Sequence, residues 1–227
     1  MLSMPTACWL CKMPLALPHH GLCCFCLRRL PMQAECCPRC GLPALHSRRE
    51  CGRCQLRPPA WQRIVFVTDW QPPLRELVQR LKFLQATALS VMLARLFLLS
   101  WLTERRDRHL YRPDLLLCVP LHKKRAWQRG YNQLDDMARC LARWTGCFYE
   151  AAGLSRRRKT RIQHRLPASA RRRNLRGAFR VETAVAGRHI ALLDDVVTTG
   201  STVEEISRVL LAEGAASVQI WCLCRTL

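Results

Sequence analysis

The sequence predicts an α/β domain built on a parallel sheet, following a short cysteine-rich segment. Three observations predict it. Apolar runs of strand length alternate with amphipathic helical stretches from residue 64 onwards. One of those runs ends in Asp194-Asp195 and passes through a hydroxyl-rich turn into a helix. Four Cys-x-x-Cys pairs crowd into the first 54 residues. A chain of 227 residues, 49% of them apolar, suits a moderate domain with a small appendage.

The appendage is read from its cysteines, ten of the 15 lying before residue 55. Pro5, Lys12 and Pro14 interrupt the opening apolar stretch, and no basic n-region precedes it, so no signal peptide is expected. Residues 89–102 carry Arg95 and are too short to span a bilayer, so no membrane insertion is expected either. The expected setting is the cytoplasm, where thiols stay reduced and paired cysteines serve as metal ligands. The knuckles are Cys8/Cys11, Cys23/Cys26, Cys37/Cys40 and Cys51/Cys54. Two knuckles complete a four-thiolate tetrahedral site, so eight ligands make two closed sites that suit structural Zn²⁺. Sequential pairing is favoured, and interleaved pairing is compatible with the same spacing. Cys24 and Cys36 are spare. A segment this short has little core, so metal binding would supply much of its folding free energy. Its basic residues, among them Lys12, Arg28, Arg29 and Arg39, suit nucleic acid, a docking surface or a solvated face alike.

Pro58-Pro59 reads as a linker between residues 1–57 and an α/β domain over 58–227. Residues 64–68 are β-branched and read as a strand. Leu74, Leu77, Val78 and Leu81 recur at helical spacing, predicting a helix over 72–84. A second helix over 86–104 is apolar on most sides, with Met92, Leu96 and Leu99 as core. Residues 115–119 form a continuous apolar run, as a central parallel strand requires. A helix over 132–144 follows, with Asn132 as an ordinary N-cap in the bland reading. Residues 189–193 and 217–224 are further strands. Between them a capping box at Thr202 and Glu205 starts a helix that Gly214 closes.

Ligands of such sheets bind outside the carboxyl ends of the strands, and three segments are candidates. The first is Asp194, Asp195, Val196, Val197, Thr198, Thr199, Gly200, Ser201 and Thr202. Its turn offers backbone N–H groups and hydroxyls to a phosphate at a helix N-terminus, and Gly200 permits positive φ or close approach. The carboxylates repel phosphate and sit where sugar hydroxyls or a metal ion's waters would lie. The second is Pro120, Leu121, His122 and Lys123, with Arg129 opening the next helix. It suits a pyrophosphate, and equally a solvated loop. The third is the arginine-rich run over residues 155–180, which holds no acid. Such a run is expected to be mobile; it would close over a substrate or track a nucleic-acid backbone. A formal charge of +21 calls for a polyanionic or phosphorylated partner. The sequence holds no Walker A motif, and P-loop ATP hydrolysis is unsupported.

Together these segments resemble the ComF/GntX family of competence and DNA-utilisation proteins essentially end to end. The resemblance rests on the four knuckles, on Val119-Pro120-Leu121, and on Arg129-Gly130-Tyr131-Asn132-Gln133. It rests further on Thr160 and Gln163, on Arg171 with Asn174-Leu175 and Ala178-Phe179, and on residues 194–202. It implies a type I phosphoribosyltransferase-like parallel sheet behind an N-terminal double zinc ribbon. It also implies a ligand, phosphoribosyl pyrophosphate (PRPP) or a related phosphorylated ribose. In that site Asp194 and Asp195 are the catalytic pair, holding the ribose hydroxyls directly or through Mg²⁺. Residues 198–202 cradle the 5′-phosphate, and the Pro120 turn takes pyrophosphate. Thr160, Arg161, Gln163 and Arg171 belong to the closing loop. This sequence departs from the family pattern mildly at Tyr131, and in the closing loop at Arg161-Ile162 and Pro167, which bear on the closed geometry of that loop. Thr198 stands where purine-salvage enzymes carry a carboxylate base, and threonine cannot act as one near neutral pH. Purine salvage is disfavoured.

The expected function is the use of external DNA, with single-stranded DNA and a DNA-processing protein as partners. The alternatives are an active phosphoribosyltransferase of nucleotide salvage and a non-catalytic PRPP or nucleotide sensor linked to gluconate metabolism.

Overall fold

The computed structural model describes residues 7–17, 20–31, 35–83, 87–121, 132–157 and 175–226. Two one-turn helices lie in the cysteine-rich segment, α1 (Cys24–Arg28) and α2 (Gly52–Leu56). Then come β1 (Arg63–Asp69), α3 (Leu74–Phe83), α4 (Thr87–Arg108), β2 (Leu115–Cys118), α5 (Asp135–Thr145) and β3 (Phe148–Tyr149). The chain finishes with β4 (Leu154–Arg156), β5 (Phe179–Val181), β6 (His189–Val197), α6 (Ser201–Ala212) and β7 (Ser217–Arg225).

Five strands form one sheet in the order β1-β7-β6-β2-β3, every neighbouring pair parallel. Such a sheet is covered on both faces, which is why β2 and β7 are buried along their whole length. On one face Val65, Leu116, Leu193 and Trp221 meet α3, α4 and α5. There Trp221 packs against Phe97 and Trp101, with ring centroids 5.1 and 5.7 Å apart. On the other face Ile64, Leu117, Leu192 and Ile220 meet Val203, Ile206 and Leu210 of α6, together with the β4–β5 hairpin.

This layering locates the topological switch point. The helix that leaves β2, α5, covers the first face and leads outward to β3. The helix that leaves β6, α6, covers the second and leads the other way to β7. A crevice therefore opens between the carboxyl ends of β2 and β6.

The cysteine-rich segment is built onto the sheet domain. Cys8, Leu22 and Cys26 share the first buried cluster with Met92 and Trp101. Arg80 of α3 donates to the Trp9 carbonyl at 3.1 Å, and Thr68 of β1 to the Pro31 carbonyl at 3.3 Å.

Four expectations need correction. β6 does not end at residue 193: its ladder with β7 continues through Asp194↔Cys222, Val196↔Cys224 and Val197↔Arg225. The capping box at Thr202 is absent, because α6 begins at Ser201 behind Gly200, and the side chain that reaches its first N–H is that of Thr199, Oγ1 at 3.4 Å from the Ser201 nitrogen. Glu205 instead accepts from the Gly177 N–H at 2.8 Å. α5 begins at Asp135 with Leu134 as its N-cap residue, and the Asn132 side chain accepts from the Leu134 N–H one turn earlier. Leu99 faces solvent, 56% exposed, while Met92 and Leu96 are core. Gly214 does close α6: the Ala215 N–H reaches the Leu210 carbonyl and the Gly214 N–H that of Leu211, a Schellman pair.

Candidate functional site

The crevice is assembled from strand ends. β2 and β6 run side by side to Cys118↔Leu193, and the Val119 N–H donates to the Leu193 carbonyl at 2.9 Å. Pro120 and Leu121 therefore leave the sheet beside Asp194 and Asp195, all four half-buried. His122, Lys123 and Arg129 lie outside the described residues, as do Thr160, Arg161, Gln163 and Arg171. What is described of the arginine-rich run is its two anchors. Leu175, Ala178 and Phe179 are buried on the α6 face, and the Arg157 N–H donates to the Ala178 carbonyl at 2.9 Å.

The two aspartates are differently engaged. Asp194 Oδ1 accepts from the Asp195 N–H at 2.8 Å. Asp195 pairs with Lys82 of α3, Oδ2 to Nζ 2.9 Å, and the same ammonium lies 5.6 Å from the Trp70 ring centroid. Around them the thiols are neutral. Burial, and then the charge of Asp195, pushes Cys224 up to about 12. Burial also pushes Cys118 up to about 12, and raises Cys222 well above the ordinary value for a thiol. A thiolate nucleophile has no place here.

After Val197 the chain bends through Thr198 and Thr199 into Gly200, whose φ of 75° is left-handed. A Cβ at Gly200 would stand 3.0 Å from Cη2 of Trp61, so glycine is required by both conformation and space. Thr199 Oγ1 and Ser201 Oγ lie 2.9 Å apart at the rim. The Ser201 N–H donates to Thr199 Oγ1 at 3.4 Å, and the N–H groups of Thr202 and Val203 follow it in the first turn of α6, where the helix dipole favours an anion. The floor beneath this turn is Arg225, 4% exposed. Its Nη1 donates to the carbonyls of Val197 (2.9 Å), Thr198 and Thr226, and its Nε to that of Cys40 (2.9 Å).

The cysteines gather in sequence order, Cys8, Cys11, Cys23 and Cys26 in one group and Cys37, Cys40, Cys51 and Cys54 in the other. Within each group all Sγ atoms lie within 4.8 Å of one another. Cys11–Cys23 and Cys40–Cys51 are 3.6 and 3.7 Å apart. Four thiolates around one tetrahedral ion at ~2.3 Å would be about 3.8 Å apart, so the donors fit such an ion. Backbone N–H groups point at the sulfurs: Cys23 at Cys8 Sγ (3.5 Å) and Cys51 at Cys37 Sγ (3.3 Å). Burial opposes ionisation of Cys8, but those donors outweigh it and bring it down to about 6; Cys37 comes down to about 7 in the same way. Cys26 and Cys40 go the other way, to about 12 and about 11, held up by burial and by neighbouring sulfurs. Four sulfurs this close ionise together only around a cation.

Three residues of this region escaped the sequence reading. Lys82 gives no signal beyond lying on the polar side of a helix. Trp61 follows a Pro-Pro linker and reads as linker. Arg225 does carry a signal: a single charge ending a continuous apolar strand is buried only if its donors are satisfied.

Residues 130–227 match the family model of the phosphoribosyl transferase domain. With the parallel sheet and the two cysteine clusters, this defines a type I phosphoribosyltransferase-like α/β domain behind an N-terminal double zinc ribbon. Over all 227 residues of both chains, the sequence is 51% identical to the DNA utilization protein YhgH of Escherichia coli (strain K12). It is 34% identical over 218 residues to Competence protein F of Haemophilus influenzae, covering 95% of each chain. It is 28% identical over 223 residues to Competence protein ComFC of Bacillus subtilis, covering 92% of this chain and 86% of that one. The chain belongs to the ComF/GntX family of DNA-utilisation and competence proteins. Among the described residues no helix is long and apolar enough to cross a membrane.

Proposed function

We propose that this chain serves in the use of external DNA and that its crevice binds PRPP or a related phosphorylated ribose. The observation that carries the ligand is the turn over residues 198–202. It sets the N–H groups that head α6 beside the hydroxyls of Thr199 and Ser201, a few residues after a pair of aspartates. In this reading the turn takes the 5′-phosphate, and Asp194 and Asp195 take the ribose hydroxyls. Those carboxylates would also be the groups to hold Mg²⁺, which would supply positive charge against the phosphates that the aspartates alone repel. The continuation of β6 through Val197 bears on this arrangement, since successive strand residues face opposite ways. Lys82 holds Asp195 on the α3 side, so Asp194 would be the first contact of the sugar and Asp195 the second. Pyrophosphate would be taken by the basic residues that follow Leu121 in the sequence. Thr198 offers no base for a purine, and a purine acceptor is disfavoured. The metal of both cysteine clusters is Zn²⁺ in this reading, and the domains divide as 1–57 and 58–227.

For DNA, the support is exposed Phe25, 61% accessible, with the Arg29 guanidinium 5.3 Å from its ring centroid. An aromatic face beside a cation suits a stacked base of a single strand.

Calorimetry with PRPP and Mg²⁺ tests the ligand. Saturable binding is expected for wild type and loss of it for Asp194→Asn/Asp195→Asn; no heat at millimolar PRPP overturns the reading. Pyrophosphate release with a nucleobase panel then separates an enzyme from a sensor. Oligonucleotide binding is expected to weaken steeply with salt and to survive the aspartate changes. Absence of binding at low salt removes the DNA role.

A further inference from the structure

We propose that the second cysteine cluster sets the shape of the phosphate turn, with Arg225 and Trp61 as the positioning residues that connect them. The functional consequence rests on the ligand reading above; the connection itself does not. Two separate links run from the third knuckle, Cys37 to Cys40, to the turn. In the first, Arg225 Nε takes the Cys40 carbonyl at 2.9 Å while Nη1 takes the carbonyls of Val197 and Thr198. One planar guanidinium thus fixes the backbone of a metal knuckle to the backbone where the phosphate turn begins. In the second, Trp61 Nε1 donates to the Arg39 carbonyl at 2.6 Å, and its ring lies against Gly200. Arg39 returns the contact, its Nε donating to the Trp61 carbonyl (3.2 Å) and its Nη2 to that of Pro59 (3.0 Å).

The fit around the knuckle is close. Gly41, at φ 70°, lies against Phe66 and Ile64 of β1 and against Arg225, where a Cβ would stand 2.9 Å from Phe66. A knuckle that lost its ion would release the Arg39 and Cys40 carbonyls together, because tetrahedral ligation by Cys37 and Cys40 is what fixes the turn between them. Arg225 would then be a buried cation short of an acceptor, and Trp61 a buried indole short of one. Both would repack, and the turn above them with them. The first cluster bears on a different place: Trp9 holds Arg80 of α3, two residues before Lys82, on the opposite face of the sheet.

Amide hydrogen exchange on the full chain, metal-loaded and without PRPP, decides the matter. Cys37→Ser, which opens the second cluster, is expected to speed exchange in residues 197–202 about tenfold, the scale of losing one charge-assisted hydrogen bond. Cys8→Ser is expected to speed exchange in residues 74–83 and leave 197–202 unchanged. Arg225→Met should reproduce at 197–202 the part of the Cys37→Ser effect carried by the first link. Arg225→Lys should show less of it, and the Arg225→Met/Cys37→Ser pair should add nothing beyond Cys37→Ser alone. Exchange at 197–202 that is unmoved by Cys37→Ser, or that rises equally for Cys8→Ser and Cys37→Ser, overturns the proposal. If Cys37→Ser leaves the chain unfolded, the two Arg225 variants carry the test: a rise confined to 37–41 and 197–202 supports the link, and a uniform rise overturns it. Calorimetry with PRPP follows, expecting binding about tenfold weaker in Arg225→Met. A flat titration of wild type would fail the ligand reading while leaving the exchange result to stand.

Discussion

Lys82 shows how a single side chain changes the meaning of a motif. Adjacent carboxylates at a strand end suggest a cation site, and here one of them already holds an ammonium at 2.9 Å. Both partners are about a quarter exposed, so the pair contributes only about 0–1 kcal/mol to stability. Its larger effect is competition, because any metal ion that approaches Asp195 must displace Lys82 or share with it. Lys82→Met is therefore expected to leave the melting temperature nearly unchanged and to lower the Mg²⁺ concentration that half-saturates PRPP binding, by about threefold to tenfold. A Mg²⁺ titration at fixed PRPP measures this. An increase in the requirement would mean that Lys82 serves the ligand and not the carboxylate.

At the scale of elements, what was legible depended on sequence distance. Strands β1, β2, β6 and β7 and helices α3 to α6 announce themselves by local periodicity, and each lies within a few residues of its expected place. β3, β4 and β5 are two or three residues long and leave no such signal. The extension of β6 was hidden because its apolar pattern stops at Asp194 while its backbone goes on pairing with Cys222, Cys224 and Arg225. The capping box failed for a similar reason: Glu205 serves Gly177, 28 residues away, and Glu204 serves the Ala60 N–H, 144 residues away. Of the candidate site, the turn and the aspartates were legible, whereas the residues that hold them come from α3, the linker and the last strand. The same strands carry a pH dependence. Cys118 and Cys224 have folded values of about 12 against an ordinary 9.0. Below pH 9 both states keep the proton and stability is untouched. As pH rises from 9 towards 12 the unfolded chain gives up protons that the folded one retains, so stability falls. The melting temperature of metal-loaded protein should decline above pH 9, and Cys118→Ala with Cys224→Ala should flatten the decline.

For the whole molecule, the zinc ribbon and the sheet share structure that a linear reading divides at Pro58-Pro59. Cys8 and Cys26 are buried in the same cluster as Leu74, Met92 and Trp101, and Cys40 and Arg39 supply acceptors to buried groups of the second half. A freely tethered module would leave its neighbour's stability alone when it unfolds. Here, a cluster left without its metal would uncover part of the sheet domain's own apolar surface and strand the Arg225 guanidinium. Structural Zn²⁺ contributes on the order of 10 kcal/mol of apparent folding free energy in small sites, comparable with the whole stability of a domain. A strong chelator is therefore expected to lower the melting temperature of the sheet as well as of the ribbon. Trp101 of α4 and Trp221 of β7 are buried against each other, and amide exchange in β6 and β7 followed against temperature reports the sheet apart from the ribbon. Restoring Zn²⁺ should restore the transition, since no covalent change is involved. A sheet transition that stays at the same temperature with and without chelator would show that the ribbon only rests on the sheet.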